Sequence, residues 1–136
     1  MPLCNIMALS KISLKGWGDM GFNNSVEGKT YSKKEMTAIW DKATVVDGYE
    51  PDMVRKDKAG AWMIREKYGY DGEELGVSWE VDHILPKAQG GSDELDNLQP
   101  LQGLNNRAKC DDCPQWKSKV TSDGDRNVFK EQSWTI

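Results

Sequence analysis

The sequence predicts a single α+β domain in which a helix and a β-hairpin precede a strand–strand–helix unit. Three observations carry this expectation. Ser32-Lys33-Lys34-Glu35 has the form of a capping box, and Met36, Ile39, Trp40 and Ala43 follow it at helical spacing. Two short apolar runs, Met53-Val54-Arg55-Lys56 and Ala61-Trp62-Met63-Ile64-Arg65, flank Asp57-Lys58-Ala59-Gly60, which reads as a hairpin turn. Val77-Ser78-Trp79-Glu80-Val81-Asp82 alternates apolar and polar residues, and a second extended run and a helical stripe follow it.

In chain order, the first helix is expected over residues 33–43, its apolar stripe on the core. The hairpin comes next, then a strand over 77–82. Gly90-Gly91 marks a turn that needs positive φ. Asn97-Leu98-Gln99-Pro100-Leu101 reads as a second strand, which Pro100 places at a sheet edge or ends early. Leu101, Leu104 and Ala108 share one helical face, which gives a helix over residues 102–110. Its other arc presents Gln102, Asn106 and Lys109. Residues 1–28, with the glycine-rich Gly16-Trp17-Gly18-Asp19-Met20-Gly21, are expected to form an N-terminal arm or peripheral element. Residues 29–113 are expected to form the main domain, with its core at 77–112. Residues 114–136, polar but carrying Trp116, Phe129 and Trp134, are expected to be a tail packed on that domain.

A chain of 136 residues suits one domain, and 38% hydrophobic with 29% charged residues is the balance of a soluble globular protein. No apolar run is long enough to cross a membrane, and the start lacks a basic segment followed by a clean apolar stretch. No signal peptide and no membrane partner are therefore expected, and a cytoplasmic location follows by default. The net charge of −4 argues against a generic nucleic-acid binder. Its distribution is uneven. Residues 29–67 are slightly basic, with Lys33, Lys34, Arg55, Lys56, Lys58, Arg65 and Lys67, and offer contacts to phosphate; residues 68–112 are strongly acidic. Three cysteines do not make a disulfide framework. Cys110 and Cys113 form a lone C-x-x-C without the second pair that a structural zinc requires.

The chemistry concentrates in residues 79–112. His83 is the only histidine of the chain and directly follows Asp82 at the end of the expected strand. Asn97 opens the next extended segment, and Asn106 lies on the following helix. Phosphodiester hydrolysis needs a base that takes a proton from water near neutral pH, and a histidine, with an unperturbed pKa of about 6.5, suits that task. It also needs a cation near the phosphate, and an Asp carboxylate with an Asn amide supplies the hard oxygen ligands that Mg²⁺ or Mn²⁺ prefers. Adjacent residues at a strand end point to opposite sides, so Asp82 can face a metal while His83 faces the attacking water.

Together, Asp82-His83, Gly90-Gly91-Ser92-Asp93, Asn97-Leu98-Gln99-Pro100-Leu101 and Asn106-Arg107-Ala108-Lys109 resemble the motif of HNH endonucleases, whose core is a ββα-metal finger. The pattern is similar to that of free-standing bacterial and phage HNH proteins and of the HNH domain of RNA-guided CRISPR nucleases. Trp40-Asp41-Lys42-Ala43, Arg55-Lys56-Asp57 and Gly60-Ala61-Trp62 resemble the lead-in of one free-standing group, which extends the likeness back to Ser32. The resemblance implies a ββα-metal finger buttressed by the N-terminal helix and hairpin. It implies Asp82 as a metal ligand, His83 as general base, Asn97 as the tie of the loop that presents the histidine, and Asn106 as second ligand. Asn105 could replace Asn106, but the following Arg107-Ala108-Lys109 favours Asn106. Lys109 would contact phosphate or steady the site, with Arg107 and Lys87 as further nucleic-acid contacts. The implied cofactor is one divalent ion, Mg²⁺ first and Mn²⁺ or Ni²⁺ as alternatives; the implied substrate is double-stranded DNA.

The sequence departs from the family in one respect. Many HNH proteins hold a structural zinc with two C-x-x-C pairs, and one pair would fall at Gln102 and Asn105. A zinc-free finger held by packing, with Trp62 and Trp79 contributing, is therefore expected. Two rival readings stand beside the nuclease: a catalytically silent HNH-fold protein that binds DNA or assists phage packaging or assembly, and a toxin nuclease with an immunity protein as partner.

Overall fold

Ser32 caps the first helix as the sequence predicts. A computed structural model describes residues 30–69 and 75–136, so the expected arm at 1–28 lies outside the described residues. Helix α1 (Lys33–Trp40) opens with a reciprocal capping box. The Glu35 amide donates to Ser32 Oγ at 3.1 Å, and the Ser32 amide donates to Glu35 Oε1 at 2.9 Å. The helix buries Ile39 and Trp40 and stops at Asp41, short of the expected end. Strands β1 (Val54–Lys56) and β2 (Trp62–Ile64) form the expected antiparallel hairpin, Val54 opposite Ile64 and Lys56 opposite Trp62. Asp57 shapes its turn: Oδ1 accepts from the amides of Ala59 and Ala61, each at 2.9 Å.

Strands β3 (Trp79–His83) and β4 (Leu98–Gln102) pair antiparallel, with Trp79 opposite Gln102 and His83 opposite Leu98. The sheet has two strands, so each is an edge. That tolerates Pro100 opposite Val81, and the strand runs on through the proline to Gln102. Helix α2 (Gly103–Lys109) follows at once. The core gathers Ile39, Trp40, Ala43, Met63, Trp79 and Leu98, with Tyr31, Met36 and Val81 against it. The Trp40 and Trp79 rings lie 5.1 Å apart and tilted, a favourable aromatic geometry. Trp79 and Val81 thus bind β3 to the core by one face, while Glu80 and Asp82, at alternating positions, turn to α2. The result is a mixed α+β arrangement of two helices and three small antiparallel strand pairs among the described residues. None of the described helices is long and apolar enough to cross a membrane.

Two expectations are corrected. The residues after Pro114 are not a polar tail but a hairpin of β5 (Gln115–Asp123) and β6 (Arg126–Thr135), turning at Gly124 with φ +64°. Trp116, Ser118 and Val120 are buried and alternate with exposed Gln115, Lys117 and Lys119. The buried face of α2 is also not apolar. Gly103, Asn105 and Lys109 are buried, whereas Leu104 and Ala108 are half-buried.

Polar burial on α2 is possible because the groups are partnered. Asn105 Nδ2 donates to Asp57 Oδ2 at 3.0 Å and to the Val120 carbonyl at 2.9 Å. Asn105 Oδ1 accepts from the amides of Lys119 and Val120, each at 2.8 Å. Gln102 Oε1 caps α2 by accepting from the amides of Leu104 and Asn105, and Gln102 Nε2 donates to the Gly76 carbonyl. The Gln102 amide donates to Asp57 Oδ2 at 2.9 Å. Gln102 and Asn105 therefore anchor a hydrogen-bond network that joins the β1–β2 turn, α2 and β5. Trp62 adds a second tie, its Nε1 donating to the Gly124 carbonyl at 2.9 Å and its amide to Asn127 Oδ1 at 2.7 Å.

Candidate active site

The end of β3 brings most of the sequence-selected residues together. Asp82 is only 5% exposed, and its polar contacts both fall on Oδ2: Gln99 Nε2 at 2.9 Å and Lys109 Nζ at 3.3 Å. Burial pushes its carboxyl up to about 6, against the opposing pull of the Lys109 ammonium and the Gln99 amide. Lys109 has no exposed surface. Besides Asp82, its ammonium donates to the carbonyls of His83 at 2.8 Å and Ile84 at 3.0 Å. Of the two roles expected for Lys109, phosphate contact or steadying the site, its geometry bears on the second: its donors are engaged inside the fold, where it holds α2 to the end of β3.

His83 leaves β3 on the other side. Its Nε2 lies 2.7 Å from Asp93 Oδ1, and Lys87 Nζ lies 3.1 Å from Asp93 Oδ2. These hydrogen bonds, that from His83 first, hold the Asp93 carboxyl below the usual carboxylate range. Lys87 is about half exposed, in keeping with a surface cation.

Asn97 closes the loop between these residues. Its Oδ1 accepts from the Leu85 amide at 2.9 Å, and its Nδ2 donates to the carbonyls of Leu85 at 3.1 Å and Ser92 at 2.8 Å. One side chain thus joins both ends of the loop directly beside His83 and Asp93. The paired glycines serve two different needs. Gly90 adopts φ +94°. Gly91 is needed for space, because a Cβ there would sit 1.7 Å from the Leu85 carbonyl oxygen.

Asn106 and Arg107 reach β3 at Glu80. Asn106 Nδ2 donates to Glu80 Oε1 at 3.0 Å, and Arg107 Nη2 lies 3.4 Å from Glu80 Oε2. Helix and strand therefore run side by side, with Asn106 over Glu80 and Lys109 over Asp82, and the Asn106 amide donates to Glu80 and not to Asp82. Asn105 is committed to the Asp57 network. Arg55, counted among the basic residues, is buried and donates to the carbonyls of Pro51, Asp41 and Ala43, so it is not a surface phosphate contact.

Sequence reasoning missed Glu80 and Asp93 as members of this cluster. Glu80 was readable, since it lies two residues before Asp82 and so shares its strand face. Asp93 stands inside the quoted Gly-Gly-Ser-Asp, but only the folded loop places it against His83.

For a hard divalent cation, the donor chemistry fits. Asp82 Oδ1 and Asn106 Oδ1 are not used in the contacts above, and both are hard oxygen donors. Among the described residues no three His, Cys, Asp or Glu side chains form a metal-holding group, so amide and solvent oxygens would complete the shell.

Residues 70–113 match the family model described as HNH endonuclease. No curated protein and no solved structure matches the chain.

Proposed function

We propose, from the match of residues 70–113 to the HNH endonuclease family model, that the chain is a divalent-metal-dependent endonuclease that hydrolyses DNA phosphodiester bonds. The observation that carries this reading is the divergence of two neighbouring side chains at the end of β3. Asp82 turns inward to α2, and His83 turns outward to a loop pinned by Asn97. On this reading β3, β4 and α2 are a ββα-metal finger, residues 29–113 are the nuclease domain, and the β5–β6 hairpin packs on it through Asn105.

His83 is the general base. It takes a proton from a water molecule, whose oxygen bonds to phosphorus as the P–O3′ bond breaks. The products are a 5′-phosphate and, after uptake of a solvent proton, a 3′-hydroxyl. Asp82 and Asn106 would hold the divalent cation, Mg²⁺ in the first instance. When bound, the cation supplies the charge that stabilises the crowded phosphate and the departing oxygen. Asn97 keeps the histidine loop in register, Lys109 fixes the main chain at His83 and Ile84, and Lys87 is the cation placed to meet a DNA phosphate. One such site cuts one strand at a time.

Nicking of supercoiled plasmid in Mg²⁺, Mn²⁺ and Ni²⁺ tests the proposal. Metal-dependent nicking that is lost in Asp82→Ala and weakened in Asn106→Ala supports it. Plasmid left intact in all three metals, with salt-dependent DNA binding retained, would instead support a silent DNA-binding protein. The Lys109–Asp82 pair favours that second reading, because a resident ammonium already neutralises the carboxylate.

A further inference from the structure

We propose that Asp93 is a positioning residue for His83: its carboxylate fixes the imidazole with Nε2 protonated and leaves Nδ1 as the nitrogen that takes the proton from water. The inference rests on the reading of His83 as general base, which it deepens by naming the residue that sets the base's orientation and tautomer.

The geometry is specific. Asp93 Oδ1 lies 2.7 Å from His83 Nε2, the length of a charge-assisted hydrogen bond. A carboxylate is an acceptor only, so a neutral ring facing it must carry its proton on Nε2. The carboxylate is itself held at its other oxygen, where Lys87 Nζ donates to Oδ2 at 3.1 Å. The main chain that carries it is fixed as well. Asn97 Nδ2 binds the Ser92 carbonyl, one residue before Asp93, and Asn97 also clasps Leu85, two residues after His83. The bare Cα of Gly91 allows the loop to close against the Leu85 carbonyl, which brings residue 93 back to residue 83. The ring is also held at its own backbone, where the His83 carbonyl accepts from Lys109. A base held in this way needs no reorientation before proton transfer, and a mispositioned or wrong-tautomer histidine loses much of its effect.

His83 is the only histidine in the chain, so the ¹⁵N signals of its ring in untagged protein report the tautomer without assignment. With the ring neutral, wild type is expected to show the form protonated on Nε2, and Asp93→Ala a mixture of the two neutral forms. In plasmid nicking, Asp93→Ala is expected to lower kcat about 10- to 100-fold with KM little changed. Asp93→Ala added to His83→Ala is expected to cost nothing further. The same tautomer in wild type and Asp93→Ala would overturn the proposal, as would an effect confined to KM, an increase in rate, or a further loss in the double variant. If wild type does not nick at all, the reading of His83 as a base fails, while the ring spectra still decide whether Asp93 sets the tautomer.

Discussion

Lys109 Nζ stands 3.3 Å from Asp82 Oδ2, with the Lys109 side chain fully buried and the Asp82 side chain 5% exposed. An ion pair this deep is held by mutual neutralisation and by the lysine's bonds to the carbonyls of His83 and Ile84. Removal of one member strands the other. Lys109→Met is expected to lower stability by roughly 3–5 kcal/mol, measured by urea denaturation. The double variant Asp82→Asn with Lys109→Met is expected to recover part of that loss, because no buried charge is then left alone.

Asp82 also gives stability a pH signature. Its folded pKa is raised from 3.8 to about 6, so the native state binds the proton more tightly than the unfolded chain. The stabilisation is fully present below the unfolded pKa and is lost as pH rises through about 6. The difference in unfolding free energy between wild type and Asp82→Asn should therefore shift against wild type between about pH 4 and pH 6.5, by roughly 2–3 kcal/mol, and level off above that. The difference between the two proteins isolates Asp82 from the other carboxylates, of which buried Asp57 is displaced in the same direction and Asp93 in the opposite one.

Asn105 is the centre of the network that joins three segments. Asn105→Ala removes one of the donors to Asp57 and takes the side-chain partner from the Val120 carbonyl and from the amides of Lys119 and Val120. A loss of about 3–5 kcal/mol is expected, read as a lower denaturation midpoint. Asn105→Asp should be at least as damaging, since it sets a second carboxylate against buried Asp57.

The two loop glycines separate backbone strain from steric exclusion. Gly90→Ala introduces only an unfavourable left-handed residue, a cost of about 1–2 kcal/mol, and nicking should be largely preserved. Gly91→Ala would drive a methyl group into the Leu85 carbonyl, so the loop must open. It should disturb the Asn97 clasp and lower nicking at least 10-fold, checked in the same plasmid assay alongside thermal unfolding.

Where local rules and packing agreed, the sequence was legible. The capping box at Ser32 and Glu35, the hairpin about Asp57, the strand ending at Asp82-His83 and the helix after Gln102 all follow from periodicity and turn chemistry. The β5–β6 hairpin was missed although Trp116, Ser118 and Val120 alternate with charged neighbours and Gly124 marks the turn. The small Ser118 and the sparse aromatics hid a buried face. The face of α2 was misread for a deeper reason. Apolar periodicity assumes that burial is apolar, whereas Asn105 and Lys109 are buried because distant groups from β1–β2, β3 and β5 satisfy them. The same limit explains the contact between Asp93 and His83, which exists only once Asn97 has folded the loop.

The most direct measurement is the single-turnover rate of nicking of supercoiled plasmid by wild type and His83→Ala in Mg²⁺, with folding of both confirmed by denaturation. A general base contributes about 10²- to 10⁴-fold, and a loss of that size in His83→Ala is expected. Equal rates for the two proteins would contradict the assignment of His83 as the base.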